Sequence, residues 1–212
     1  MRKVTLVAAV VAVAGIASAQ ILVPNGDFEA GSADWSSFND GTTVVSYETT
    51  GGNTGGYGRL DASSGTWGAG FVSPADNTYP GNDGIPLSFF GLSGGDDVTI
   101  TADMKTFSGT SRGGMKIEWW SGGVFQSTLG DLPASGQSSE WATYTWDDTV
   151  PAGADAIKIV PLITWNYAPN TPGVSVDAVI GFDNVGVVPE PATLGLLGIG
   201  GAAMMLIRRR RI

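Results

Sequence analysis

The stretch Asp97-Val98-Thr99-Ile100-Thr101-Ala102-Asp103-Met104-Lys105-Thr106-Phe107 decides the fold class. Val98, Ile100, Ala102 and Met104 fall on one side of an extended chain, and Thr99, Thr101 and Asp103 on the other. That period of two belongs to a strand with one face on a core. Downstream, residues 114–120 and 124–128 flank Ser121-Gly122-Gly123 and read as a hairpin. Met115, Ile117 and Trp119 share one face there, and Lys116, Glu118 and Trp120 the other, so one of two adjacent tryptophans must turn away from the core. Residues 141–146 alternate again, with Ala142, Tyr144 and Trp146 on one side, and residues 156–164 and 174–188 finish the set.

Upstream, the β-branched run 42–50 reads as a strand and residues 51–58 (GGNTGGYG) as a flexible loop, with Gly56 to Gly58 too glycine-rich for more than a sheet edge. Residues 68–73 and 85–92 read as further strands around a polar loop at 76–84. No segment of the middle has a helical period. Short strands punctuated by Gly and Pro predict an all-β sandwich.

Composition narrows the chemistry. The 212 residues include no Cys and no His, with 32 Gly, 11 Pro and 7 Trp. Disulfides, thiol nucleophiles, serine–histidine triads and imidazole metal ligands are excluded. Carboxylates and carbonyls remain, which suit hard cations such as calcium. The net charge of -9 is unevenly spread: between residues 20 and 188 stand five basic and 19 acidic residues, a net of -14. Nucleic acid is thereby disfavoured as a partner. All 20 aromatic residues lie between Phe28 and Phe182, which marks the middle as the folding unit.

The ends read as addresses. Residues 1–19 carry Arg2 and Lys3, an apolar run, and Ala17-Ser18-Ala19 before Gln20, the pattern of a cleaved signal peptide, with an uncleaved anchor as the alternative. At the other end, Ala192 to Ile207 is a 16-residue apolar run closed by Arg208, Arg209, Arg210 and Arg211, short for a full span but charged for a cytoplasmic end. Val188-Pro189-Glu190-Pro191, the glycine-rich apolar run and the arginine cluster together resemble the PEP-CTERM sorting signal. The resemblance implies a transmembrane sorting helix over 188–212, recognition and cleavage by an exosortase, export through the inner membrane, and a cell-surface or extracellular-matrix location linked to exopolysaccharide.

The middle, residues 20–187, carries a second resemblance. ILVPNGDFEAGSADW (21–35) at its start, VSVDAVIGFDNVGVV (174–188) at its end and EWATYTWDDTVPAGADAIKIVPLI (140–163) between them are similar to galactose-binding-like jelly rolls, among them the carbohydrate-binding modules attached to xylanases and glucanases. A jelly-roll β-sandwich is the expected fold. Its first and last strands are expected to neighbour one another, with Phe28 plugging the core and Glu29 approaching Asp183. In the modules it resembles a structural calcium sits in this region, which supports Glu29 and Asp183 as its ligands. The plainer alternative is that Asp27 and Asp183 bond to turn amides.

Binding is expected at exposed aromatics: Trp120 from the strand alternation, and Trp165 and Tyr167 from the loop after Thr164. Against this stands Trp120 packing under a neighbouring loop and Trp165 capping the sandwich. Gly-x-Ser-x-Gly occurs at 91–95 and 109–113, but neither has a helical pattern behind it or a histidine to serve it, so no catalytic residue is named. The expected function is a non-catalytic exported protein that binds extracellular polysaccharide; the alternative is a structural or self-associating matrix protein.

Overall fold

The computed structural model describes residues 19–39, 41–63, 68–74, 84–133, 138–164 and 177–190. In chain order the strands are β1 Ile21–Leu22, β2 Ser36–Asn39, β3 Val44–Glu48, β4 Tyr57–Asp61, β5 Gly68–Val72 and β6 Ile85–Pro86. They continue as β7 Asp97–Gly109, β8 Gly113–Ser121, β9 Val124–Pro133, β10 Ala142–Thr149, β11 Ala156–Thr164 and β12 Ala178–Pro189. The front sheet has the order β10-β7-β12-β4-β3, with β1 also paired to β12; the back sheet has the order β2-β5-β11-β8-β9, with β6 also paired to β11. Every pairing is antiparallel. The fold is an all-β sandwich of jelly-roll type.

The alternation in β7 does what the sequence predicts. Val98, Ile100, Ala102 and Met104 are buried between the sheets. They meet Met115, Ile117 and Trp119 of β8, Ile157, Ile159 and Ile163 of β11, and Ile180, Phe182, Val185 and Val187 of β12 in one core. Trp119 hands its indole N–H to Asp148 at 2.8 Å, so its burial leaves no donor unpaired. At one end Phe28 stacks on Trp35 with centroids 4.8 Å apart and meets Phe71 at 5.4 Å. Each such ring contributes about 1.5–3 kcal/mol by leaving water.

The opening motif is a knot of turns tied by one residue. Asn25, at φ 50, donates its side-chain amide to the Gly31 and Ala33 carbonyls, accepts the Ala30 amide, and offers its own carbonyl to the Trp35 indole. This aims Phe28 and Trp35 inward together. β1 then lies along β12, Ile21 opposite Val187 and Leu22 opposite Gly186, so the first and last strands do meet.

Two sequence expectations need correction. β4 is not an edge: it lies between β12 and β3. Gly58 is there because a Cβ would come within 2.8–2.9 Å of the Phe71 and Phe28 rings, a close-packing requirement that glycine composition alone does not distinguish from a weak edge. Residues 85–92 are not one strand. Only Ile85–Pro86 pairs, with β11. Proline has no N–H to continue a ladder. The chain turns instead through a 3-10 helix at Leu87–Phe90, closed by Gly91 at φ 68.

Candidate ligand-binding face

The outer face of the front sheet is built in rows across the ladder. One row runs Ser46, Arg59, Gly181, Lys105; another runs Asp183, Asp103, Thr143, and Glu48 pairs with Tyr57 on β3 and β4. Two bulges in the β12–β7 pairing set what stands on these rows. Val179 is opposite Ser108 but Ile180 is opposite Thr106, so Phe107 is the extra residue of β7. Asp183 is opposite Asp103 but Gly186 is opposite Thr101, so β12 carries an extra residue, and Asn184 takes φ 49 to absorb it. Bulges re-aim side chains. Here the first turns Phe107 outward over β12, and the second presents Asp183 and Asn184 together while returning Val185 to the core.

The first bulge makes an aromatic platform. Tyr57 and Phe107 stack with centroids 5.6 Å apart, and Trp141 stands edge-on to both, at 5.4 and 6.4 Å. All three converge on Gly181, where a Cβ would come within 2.8 Å of Trp141, 2.9 Å of Tyr57 and 3.1 Å of Phe107. Gly181 is therefore the floor on which the rings rest. Phe107 keeps 43% of its surface in water, and Trp141 is partly exposed. The flanking cations are close by. The Lys105 ammonium lies 5.3 Å from the Phe107 centroid and 3.9 Å from the exposed Glu140 carboxylate, and Arg59 donates to Asp61 at 2.8 Å.

The second bulge makes a polar clamp. Asp183 Oδ2 accepts the amides of Asn53 and Thr54 at 2.8 and 3.1 Å, and Oδ1 accepts the Asn184 amide at 2.7 Å. Asp103 accepts the side-chain amides of Asn53 and Asn184 and the Thr143 hydroxyl. Glu29 accepts the Gly56 amide at 2.8 Å, and the Trp141 indole donates to the Gly51 carbonyl at 3.0 Å. The whole loop 51–56 is thus held by side chains from four distant segments. Gly55 is dictated by that contact: a Cβ there would fall on the Glu29 carboxylate, and Gly55 sits at φ 154. Burial, opposed by the three amides and reinforced by the Asp103 carboxylate, pushes the Asp183 carboxyl above its ordinary range.

Glu29 and Asp183 therefore do converge, on one loop. As arranged, however, the oxygens of Asp183 and Asp103 are met by N–H and O–H donors, which present positive charge where a cation would sit. Glu29 Oε2 is the one oxygen of these carboxylates that no described hydrogen bond reaches. Among the described residues, no group of three or more acidic, His or Cys side chains is placed to hold a metal ion. Calcium takes about six to eight oxygens, and this donor set fits an amide-clamped carboxylate instead.

Trp120 turns outward from the back sheet, as the alternation predicts, while Trp119 is 1% exposed. Its indole is not bare: the Lys158 ammonium lies 4.4 Å from its ring centroid, Phe125 stands edge-on at 5.9 Å, and Glu118 accepts its N–H at 3.3 Å. Trp165 and Tyr167 lie outside the described residues, as do residues 1–18, Pro191 and Arg208 to Arg211. Val188, Pro189 and Glu190 lie at the end of β12. Sequence reasoning missed Tyr57, Phe107 and Trp141 as a group. The signal available was Gly181 alone among apolar residues, since an isolated strand glycine marks close approach by something else. No helix among the described residues is long and apolar enough to cross a membrane.

The PEP-CTERM protein-sorting motif matches residues 187–211. No curated protein matches the chain in sequence. Among solved structures, the chain is similar to a family 16 carbohydrate binding module (TM-score 0.51, 14% identity, 79% of this chain and 99% of that one). It is similar also to the CBM22-1 xylan-binding domain from Paenibacillus barcinonensis Xyn10C (TM-score 0.51, 14% identity, 83% and 97%). A third likeness is to the enzymatically active domain of Bacteriophage CBA120 tailspike protein 4 (TM-score 0.51, 15% identity), of whose length the match covers only 21%, against 79% of this chain. At these identities the likeness is one of fold. The chain thus carries a PEP-CTERM sorting motif directly behind a β-sandwich of the kind found in carbohydrate-binding modules.

Proposed function

We propose that this is an exported, non-catalytic polysaccharide-binding protein whose ligand lies on the outer face of the front sheet, across Tyr57, Phe107 and Trp141. The observation that carries this reading is the convergence of the three rings on Gly181, where a side chain would close the platform. A pyranose ring has one flat, largely C–H face and an edge of hydroxyls. The exposed rings of Phe107 and Trp141 offer the first a flat apolar partner. Lys105 and Arg59, flanking Gly181 in register, offer hydrogen-bond donors to the second. A site of this sort, apolar surface with few polar groups, is what small-molecule recognition uses. The sorting motif supports export and processing by an exosortase, and a location at the cell surface or in the extracellular matrix suits a glycan ligand.

Trp120 of the back sheet is a second proposed site, and Trp165 and Tyr167, outside the described residues, are a further one. Lys158 already covers one face of the Trp120 ring, so the front-sheet platform is preferred. Calcium held by Glu29 and Asp183 stays a separate proposal, carried by their meeting on one loop; it requires loop 51–56 to exchange amides for carbonyls. The alternative function, a structural matrix protein with no glycan specificity, shares the fold and the sorting motif. Affinity electrophoresis of the protein through gels containing xylan, β-glucan or the producing cell's own exopolysaccharide separates the two. Retardation by a polysaccharide, lost in Phe107→Ala and kept in Trp120→Ala, is the expected result. Migration unchanged in every gel overturns glycan binding and leaves the matrix role.

A further inference from the structure

The matched sorting motif and the last strand share residues. The motif begins at Val187. Val187 is fully buried in the core and is paired on both sides, with Ile21 of β1 and Ile100 of β7. Val188 stands opposite Thr99 and Pro189 opposite Val98, and the Glu190 amide donates to the Asp97 carbonyl at 3.1 Å. The fold therefore runs into Val188-Pro189-Glu190 with no linker between. β12 is also interior to its sheet, bonded to β7 and β4 as well as β1, and it carries Phe182, Val185 and Val187 of the core.

An enzyme that reads an extended segment of chain needs that segment's backbone N–H and C=O groups and space on both of its faces. A strand end already in a ladder has given those groups away. We propose that the folded sandwich withholds Val188-Pro189-Glu190 from the sorting enzyme, so that tail recognition requires the end of β12 to come off β7, and sandwich closure and tail processing compete for the same residues. Chains whose β12 has not yet docked are the competent ones. β1 tightens the coupling, because Ile21 and Leu22, just after the predicted signal-peptide cut, close the other side of β12 at Val187 and Gly186, next to that end. This inference rests on the reading that the tail is processed.

The test is a reversible staple. Thr99 and Val188 are direct partners in the antiparallel ladder, the arrangement whose Cα spacing a disulfide can span, and the chain has no other cysteine. The Thr99→Cys, Val188→Cys double variant is followed by pulse-chase and intact mass in cells that carry the sorting enzyme, with and without dithiothreitol in the medium. A companion chain carries the same staple plus a Gly/Ser spacer and a second, intact copy of residues 188–191 ahead of the tail. The expected result is tail loss slowed at least tenfold by the oxidised staple relative to the Val188→Cys single variant, returning to that single variant's rate in reductant, and unaffected by the staple in the companion. Equal tail loss in oxidised and reduced double variant overturns the proposal. So does slowing of the companion as well, which would place the effect on export. A wild-type product that keeps its arginine cluster sinks the processing reading itself, and the intact mass identifies that case. If the reduced double variant stays unprocessed, hydrogen exchange at the Glu190 amide of the wild-type chain decides. Protection near that of core amides upholds the proposal, and exchange at the rate of a free peptide overturns it.

Discussion

Asp183 stands directly opposite Asp103 in the β12–β7 ladder, two buried carboxylates side by side on the outer face of a sheet. Such a pair is tolerable only because both are supplied with donors: backbone amides for Asp183, side-chain amides and a hydroxyl for Asp103. Half of these donors come from loop 51–56, and that loop also holds Trp141 by its Gly51 carbonyl. The polar clamp and the aromatic platform are therefore one structure.

Asp183→Ala should be among the most damaging single changes. It orphans the amides of Asn53, Thr54 and Asn184, each costing about 1–3 kcal/mol when buried without a partner. Partial exposure of the loop limits the sum, and a loss of about 3 kcal/mol in urea unfolding is expected. Glu29→Ala, which frees one amide at the loop's end, should cost about 1 kcal/mol.

Calcium is checked on the same proteins. The calcium proposal predicts a melting temperature higher in excess calcium than in excess chelator, and equal melting in both overturns it. A rise with calcium that disappears in Asp183→Ala would establish the calcium proposal, since an ion bound to the native state raises stability by mass action.

Gly181→Ala tests the platform floor. The new Cβ falls under 3.0 Å from two rings, so Trp141 and Tyr57 must shift. Overpacking of this kind costs about 1–3 kcal/mol. Polysaccharide retardation should fall along with stability, whereas Phe107→Ala should lose retardation at a cost below about 1 kcal/mol, because the ring is already 43% exposed. Circular dichroism melts and affinity gels on both variants separate the two effects.

Trp120→Ala should cost about 1–2 kcal/mol, through the packing of its ring against Lys158 and Phe125, and should leave retardation intact. Loss of retardation with stability kept would move the binding site to the back sheet.

Asp61 gives a pH signature. The Ser63 hydroxyl first, then the Ser63 amide and Arg59, hold its carboxyl below the ordinary 3.8. A folded-state value below the unfolded one means that the stabilisation is fully present above about pH 4 and is lost as pH falls through the folded value. Asp61→Asn should therefore be less stable than wild type by about 0.5–1 kcal/mol at pH 7. The two should converge as pH falls further below 3.8 in denaturant titrations.

The sequence by itself determined the strands whose side chains report their own environment. β7, β8 and β10 alternate apolar and polar residues, and burial follows that alternation in β10 and from Met115 to Trp120 of β8, while in β7 the apolar face is buried and Thr101 and Asp103 of the other face are buried with it. It determined the sorting motif, whose chemistry is local to 187–211, and the nearness of the sandwich's first and last strands. The tertiary structure alone decided that Phe107, Tyr57 and Trp141 form one platform, since they come from three segments and meet only because a bulge shifts the register by one residue at Phe107. It decided that Gly58 belongs to an interior strand, because what requires a glycine there is the volume of Phe28 and Phe71, distant in sequence. It decided too that Asp183 is met by amides, because which groups face a carboxylate depends on how loop 51–56 packs, and six glycines and polar residues in a row encode no preferred packing of their own.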